Sequence, residues 1–199
     1  MKTYRQHLWD TIGAPLRCVF LPDDWSARLG LTSLEEERIS AVLPYIQGRL
    51  LDIGAGRNTL VKRYGNGVGI DVYDWGGGAL IVEDSANLPF SDGAFDTVTL
   101  VASLNHIPNR TEVLQEAYRV LSPKGRLIIT MINPILGGIG HLIWWYSEDK
   151  ERGMAEGEVG GMWTEETARL CRSVGFEIVE HKRFLYWLNN LYLGVKSSP

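Results

Sequence analysis

Short apolar runs that end in glycine or an acid recur through the middle of this chain, and their alternation with segments of helical period restricts the fold more than any other feature. Leu50-Leu51-Asp52-Ile53 closes on Gly54-Ala55-Gly56, the mark of a strand buried on both faces rather than of a half-exposed one. Similar runs follow at Val68 to Asp71, Leu80 to Val82, Phe95 to Ala102 and Arg126 to Ile132, with a helical pattern from Thr111 to Leu121. Strands that alternate with helices imply a parallel sheet with right-handed crossovers, whose ligands sit at the carboxyl ends of the strands. Upstream, Ser33-Leu34-Glu35-Glu36 has the form of a capping box and predicts a helix over 34–47. Downstream, Thr164 caps a predicted helix that Gly175 stops. Residues 176–183 and 191–196 then read as an antiparallel hairpin. The expected fold class is α/β, a single doubly wound, mostly parallel seven-stranded sheet with an antiparallel C-terminal hairpin.

Length and charge narrow the function. A chain of 199 residues with 45% hydrophobic and 22% charged side chains has the make-up of one globular domain. Such a chain can bury roughly 70% of its unfolded surface without a disulfide or metal. Twenty basic against twenty-four acidic residues leave a net charge of -4, which supplies no cationic excess for a phosphate backbone. Nucleic acid is therefore not expected as the main substrate. Cys18 and Cys171 form no CxxC, no histidine cluster has ligand spacing, and no metal is expected. The first ten residues lack a secretory apolar stretch, and the greasiest run, Ile135 to Tyr146, is too short and too broken by glycine to span a bilayer. A cytoplasmic protein without a membrane span is the expectation. One domain is expected over 1–199. It comprises an N-terminal extension and helix (1–48), a core (49–132), an aromatic, seven-glycine insertion read as a lid or substrate-facing segment (133–163), and the C-terminal helix and hairpin (164–199).

The chemistry concentrates where the first two strands end. At Gly54-Ala55-Gly56 a strand must turn sharply into a helix, and missing side chains allow a ligand's polar chain to approach the backbone. A glycine pair alone also fits a tight turn with no ligand. Nineteen positions after Asp52, Asp71 ends the next strand, near the ~20-residue distance at which an acid meets a ribose in nucleotide-binding α/β units. Its two oxygens can accept from both ribose hydroxyls and would repel a 2′-phosphate.

Further on, the chain resembles the class I S-adenosylmethionine-dependent methyltransferases, close to the group of ubiquinone and menaquinone biosynthesis enzymes. The resemblance rests on five signals in family order over about residues 49–131: the turn Asp52 to Gly56, the acid Asp71, Asp84-Ser85-Ala86-Asn87-Leu88-Pro89-Phe90, Phe95 to Val98, and Arg119 to Gly125. It implies a Rossmann-like methyltransferase fold with S-adenosylmethionine as cofactor. By the same resemblance Gly54, Ala55 and Gly56 would flank its methionine part, Asp52 would support its amino group, and Asp71 would hold the ribose. Asp84 and the backbone of Ser85 would read the adenine, with Val72 and Leu88 as apolar walls, and the Val101 carbonyl would face the ammonium.

Asn58 and Thr59 stand where relatives or dinucleotide-binding proteins carry small residues, the first helix has room for only two turns, and the connection from Asp71 to Asp84 is too short for the usual helix. Trp75 in that connection could supply a stacking surface. Because a sulfonium methyl is already activated, the protein need mainly align an acceptor and exclude water. His106 follows the fourth strand and is the candidate base for an acceptor hydroxyl, against the plainer reading that it only shapes the pocket. His141 and Tyr146 belong to the insertion, where packing is the simpler role; His7 and His181 carry no case. The leading expectation is methyl transfer to a small-molecule or lipid-like acceptor. The alternatives are a non-catalytic binder of S-adenosylmethionine or S-adenosylhomocysteine and, behind it, an NAD-dependent oxidoreductase, disfavoured by Thr59 at the third-glycine position.

Overall fold

In the computed structural model the described residues are 3–14, 23–135 and 156–196. Their seven strands form one sheet of order β3-β2-β1-β4-β5-β7-β6, with β1 (Leu50–Ile53), β2 (Gly67–Asp71), β3 (Leu80–Ile81), β4 (Phe95–Val101), β5 (Leu121–Ile132), β6 (Phe176–Phe184) and β7 (Asn189–Lys196). β1 pairs in parallel with β2 and β4, β4 with β5, and β2 with β3, whereas β7 runs antiparallel to both β5 and β6. This is the expected doubly wound sheet with its terminal hairpin.

Helices α1 (Tyr4–Ile12), α2 (Asp23–Arg28), α3 (Leu34–Val42), α4 (Thr59–Tyr64), α5 (Arg110–Val120) and α6 (Thr164–Val174) surround the sheet. Its two faces bury separate apolar layers. On one, Ile39 and Val42 of α3 and Leu60 and Val61 of α4 meet Leu50, Ile128 and Leu191. On the other, Val113, Leu114 and Ala117 of α5 and Cys171 of α6 meet Leu51, Ile53, Val98, Leu127 and Tyr192. The central strands are buried on both sides, which explains their unbroken apolar runs.

Local chemistry moves several boundaries. The helix expected over 34–47 ends at Val42 and tightens into a 3-10 turn over Leu43–Tyr45, because Pro44 has no N–H for a continuing helix. Its start is as read: the Ser33 hydroxyl accepts from the Glu36 N–H at 3.1 Å. Trp163, not Thr164, is the cap of α6. Glu166 accepts from the Trp163 N–H at 3.4 Å, while the Thr164 hydroxyl is taken by Tyr192 at 3.2 Å. Strand β5 begins at Leu121, five residues earlier than its apolar run. Strand β3 is not buried; Leu80 and Ile81 are 45% and 46% exposed, since a loop rather than a helix joins β2 to it. The two-turn α4 and the missing β2–β3 helix match the spacing of the sequence. Most of the glycine-rich insertion, including His141 and Tyr146, lies outside the described residues.

Candidate functional site

Because β1 to β4 are parallel, Gly54, Asp71, Asp84 and Val101 all follow strand ends at the same edge of the sheet. Beyond Ile53 the chain turns left-handed, with φ of +72° at Gly54 and +52° at Gly56. The N–H groups of Gly54 and Ala55 both donate to the Ile70 carbonyl at 2.9 Å, tying the turn to β2. A β-carbon on Gly54 would lie 2.5 Å from that of Ser103, whose hydroxyl is fixed on the Ile53 carbonyl at 2.8 Å. At Gly56 an added β-carbon meets nothing within 4 Å. One glycine is thus demanded by packing, and the other borders open space.

Two acids lie beneath this turn. Asp52 is 3% exposed and accepts from the Thr99 hydroxyl at 2.6 Å. Burial pushes its carboxyl up to about 7; the Thr99 bond works against that rise and the charge of Asp71 adds to it. Among the described residues Asp52 has no cationic partner. Asp71, 7% exposed, accepts from the Gly56 N–H at 2.8 Å through Oδ2 and from the Tyr73 N–H at 3.0 Å through Oδ1. A carboxylate oxygen accepts twice, so both retain a lone pair for a ligand hydroxyl.

Asp84 closes an Asx turn, accepting through Oδ1 from the Ala86 N–H at 2.8 Å and from the Asn109 amide at 3.2 Å. Ser85 beside it is buried. Val72 is 48% exposed at the sheet edge, as an apolar wall for a flat ring requires. Leu88 is not such a wall. It is 4% exposed inside the layer packed by α5, since its apolar side chain turns down into the core. Trp75 tilts against Tyr73 at 4.7 Å between ring centres, giving the short β2–β3 loop its own aromatic pair.

Sequence reasoning missed what holds this loop. Arg119 of α5 donates to the carbonyls of Phe90 at 2.8 Å and Leu88 at 3.3 Å, and pairs with Glu116 and Asp92 at 2.6 Å each. Glu116 accepts in turn from the Leu88 N–H at 2.7 Å. The Arg-Val-Leu signal was legible, but not that its arginine clamps Leu88-Pro89-Phe90.

After β4, Ala102 is left-handed at φ +54° and its N–H donates to the Thr130 hydroxyl at 2.9 Å, so the chain bends sharply at Val101. A 3-10 turn over Leu104–His106 follows. His106 Nδ1 lies 3.2 Å from Glu158 Oε2, and the Glu158 side chain is wholly buried. A backbone bond from the Val159 N–H to the Asn105 carbonyl at 3.0 Å, with the Asn105 amide on the Val159 carbonyl at 3.3 Å, docks residues 157–159 against this turn. Arg110 adds bonds to the carbonyls of Asn105 at 3.1 Å and Gly157 at 2.8 Å. Glu158 carries no sequence signal, since it reaches His106 across 52 positions.

An open groove of about 480 Å³ lies at the opposite, amino edge of the sheet, lined by Asp92, Gln115, Tyr118, Arg119 and Lys196 among others. Its cations are already engaged: Arg119 by its two acids, Lys196 by the Tyr118 and Leu121 carbonyls at 2.8 Å. Among the described residues no group of three or more histidine, cysteine or acidic side chains could hold a metal.

A seven-stranded sheet in this order, with a glycine turn after its first strand and an acid at the tip of its second, has the class I methyltransferase fold. Residues 51–129 match the family model described as "Methyltransferase domain". Over 132 residues the chain is 28% identical to a demethylmenaquinone methyltransferase of Geobacillus sp. (strain WCH70), covering 59% of this chain and 56% of that protein. It is 34% identical over 133 residues to the 27-O-demethylrifamycin SV methyltransferase of Amycolatopsis mediterranei (strain S699), covering 54% and 47%. The chain thus spans about half the length of these curated relatives. A Thermotoga maritima S-adenosylmethionine-dependent methyltransferase, described as a possible histamine N-methyltransferase, superposes with a TM-score of 0.61 at 22% identity over 81% of this chain and 88% of that one.

Proposed function

We propose that this chain binds S-adenosylmethionine over the glycine turn and transfers its methyl group to a small, lipid-like acceptor. One observation carries the reading: Asp52 is a buried carboxyl with no counter-charge among the described residues, held near neutrality beneath a turn that is open at Gly56. Leaving such a group uncompensated is costly unless a cation arrives. The α-ammonium of the cofactor is a cation of suitable size, and relatives named as methyltransferases share this stretch of chain.

The bound cofactor supplies a methyl group on a positively charged sulfur, ready for in-line displacement. The protein's own residues would orient and shield it. Asp52 would accept from the ammonium, directly or through water, with Thr99 fixing the carboxylate. Gly54, Ala55 and Gly56 would let the methionine chain lie against the backbone, and Val101 would offer a carbonyl from the facing strand end. Asp71 would accept from the ribose hydroxyls while its bond to Gly56 N–H keeps the turn in register. Asp84 Oδ2 and the Ser85 backbone would read the adenine edge beside Val72. His106, oriented through Nδ1 by Glu158, would take a proton from an acceptor hydroxyl at Nε2. A carbon or hydroxyl acceptor on an apolar ring system fits both curated relatives by name, one a quinone methyltransferase and the other a rifamycin methyltransferase.

Calorimetric titration with S-adenosylmethionine, S-adenosylhomocysteine and NAD tests the cofactor. The first two should bind and NAD should not; NAD in preference would overturn the reading. Incubation with methyl-labelled donor and a panel headed by demethylmenaquinone and 27-O-demethylrifamycin SV then tests transfer. Tight cofactor binding with no label moved to any acceptor would favour a binding protein on this fold instead.

A further inference from the structure

A band of exposed large apolar side chains lies on α1, α2 and the turn between β6 and β7. On α1, Tyr4, Leu8 and Ile12 are 82%, 52% and 65% exposed, and their spacing of four puts them on one face of the helix. The opposite face is anchored. Asp10, 1% exposed, accepts from the Thr32 N–H at 2.9 Å and its hydroxyl at 2.7 Å, and the Gln6 amide donates to the Gly30 carbonyl at 2.9 Å. The helix is therefore docked with its apolar side outward.

Neighbours extend the band on both sides. The Trp9 indole donates to the Leu29 carbonyl at 3.0 Å, bringing half-exposed Trp9, Leu29 and Trp25 together. Across α1, the hydroxyls of Thr11 and Tyr186 are 3.1 Å apart, joining α1 to the β6–β7 turn. That turn holds Leu185, Tyr186 and Trp187 at φ of +51°, +55° and +67°, a conformation costly for side-chained residues, and it leaves Trp187 76% exposed. Singly exposed apolar residues are ordinary; a connected band of this kind signals a partner.

The charges beside the band indicate which partner. Although the whole chain is acidic, the exposed charges of α1 and of the turn's approach are cationic: Arg5, then Lys182 and Arg183 leading into Tyr186; in α2, Arg28 lies over the Trp25 ring at 5.8 Å and follows the acids Asp23 and Asp24 in the chain. Asp10, the one acid of α1, is buried and engaged. Aromatic rings and leucine flanked by arginine and lysine are the composition of a surface that settles into the headgroup layer of an anionic bilayer. Among the described residues no helix is long and apolar enough to cross a membrane, so such contact would be peripheral.

We infer that α1, Trp25 and the β6–β7 turn form an interfacial docking surface for an anionic lipid membrane. The turn follows β6 at the carboxyl edge of the sheet, the edge that carries Gly54 and Asp71. Docking through it would bring that edge toward the lipid phase, where a lipid-like acceptor resides. The inference gives the proposed acceptor class a source but does not depend on methyl transfer.

Co-sedimentation of the full chain with vesicles of phosphatidylcholine alone, or mixed equally with phosphatidylglycerol, tests it. Binding to the mixed vesicles should exceed binding to the neutral ones at least about tenfold and should weaken with salt. Leu8→Gln with Trp187→Asn should reduce binding about tenfold or more; glutamine suits a helix and asparagine suits the positive φ of that turn. Arg5→Glu with Arg28→Glu should remove the preference for anionic lipid. Equal recovery on neutral and anionic vesicles, no binding to either, or full binding by the Leu8/Trp187 variant would overturn the inference. So would a dimer in size-exclusion chromatography that the same variant dissolves, since a second copy would then be the occupant. Titration of S-adenosylmethionine into the same samples separates the two ideas: cofactor binding without vesicle binding removes this one alone, and the reverse removes the proposed function alone.

Discussion

Asp71 Oδ2 accepts the Gly56 N–H at 2.8 Å, so the acid at the tip of β2 braces the glycine turn that follows β1. Asp71 therefore has a structural duty before any ligand arrives. Asp71→Ala should weaken S-adenosylmethionine binding by about 2 kcal/mol, some thirtyfold, through lost hydroxyl contacts and a loosened turn. Asp71→Asn, which retains one acceptor oxygen, should lose less. Calorimetry on both variants checks this; equal affinity in wild type and Asp71→Ala would move the ribose contact elsewhere.

Asp52 predicts a pH dependence whose sign follows from its raised carboxyl. The folded chain holds this proton up to about pH 7, whereas an unfolded aspartate releases it near its ordinary value of 3.8. Stability should thus fall as pH rises between those values, with the full penalty above 7. Asp52→Asn should melt higher than wild type at pH 8 and little differently at pH 4, by a few kcal/mol at most. Cofactor affinity should show the opposite trend. A cation needs the ionised carboxylate, so binding should strengthen toward pH 7 by up to about tenfold per pH unit and then level off. Thermal melts and titrations across pH 5 to 8 test both slopes.

Arg119→Ala should free the loop that Arg119 clamps through Leu88, Phe90 and Glu116. The side chain is a third exposed, so solvent screening limits the loss to about 1–2 kcal/mol of stability. Cofactor binding should weaken several-fold, with faster amide exchange at 85–90 as the specific sign. A uniform loss of protection across the sheet would instead mean that Arg119 supports the fold generally.

Glu158→Gln should leave cofactor affinity within about threefold while slowing transfer to a hydroxyl acceptor, because its carboxylate orients the His106 ring through Nδ1. His106→Ala should cost about 10²-fold in kcat. Should His106→Ala retain full rate on every acceptor in the panel, the ring serves only to shape the pocket.

Much of this was readable from the chain because it is written locally. The runs at Leu50, Val68, Phe95 and Arg126 carry their own burial pattern, and Gly54, Asp71 and Asp84 mark the strand ends that the topology brings to one edge. What stayed hidden depends on contacts distant in sequence. Glu158 meets His106 across 52 positions, and Arg119 reaches Phe90 across 29. Leu88 read as a ligand wall because its neighbours suggested it, yet the core claims it. Leu80 and Ile81 read as buried, but apolarity alone does not reveal that an edge strand lacks a covering helix.

Asn58 gives the departure from a third glycine a mechanical meaning. It adopts φ +60° just before α4, its amide donates to the Gly78 carbonyl at 3.2 Å, and its buried Oδ1 has no partner among the described residues. A side chain that tolerates an orphaned oxygen, at a cost on the order of 1–3 kcal/mol, fastens the turn before α4 to the loop that carries Trp75. The two ends cannot drift independently. Under the proposed function, a ligand that lifts one would pull on the other through this carboxamide as well as through the Asp71 brace.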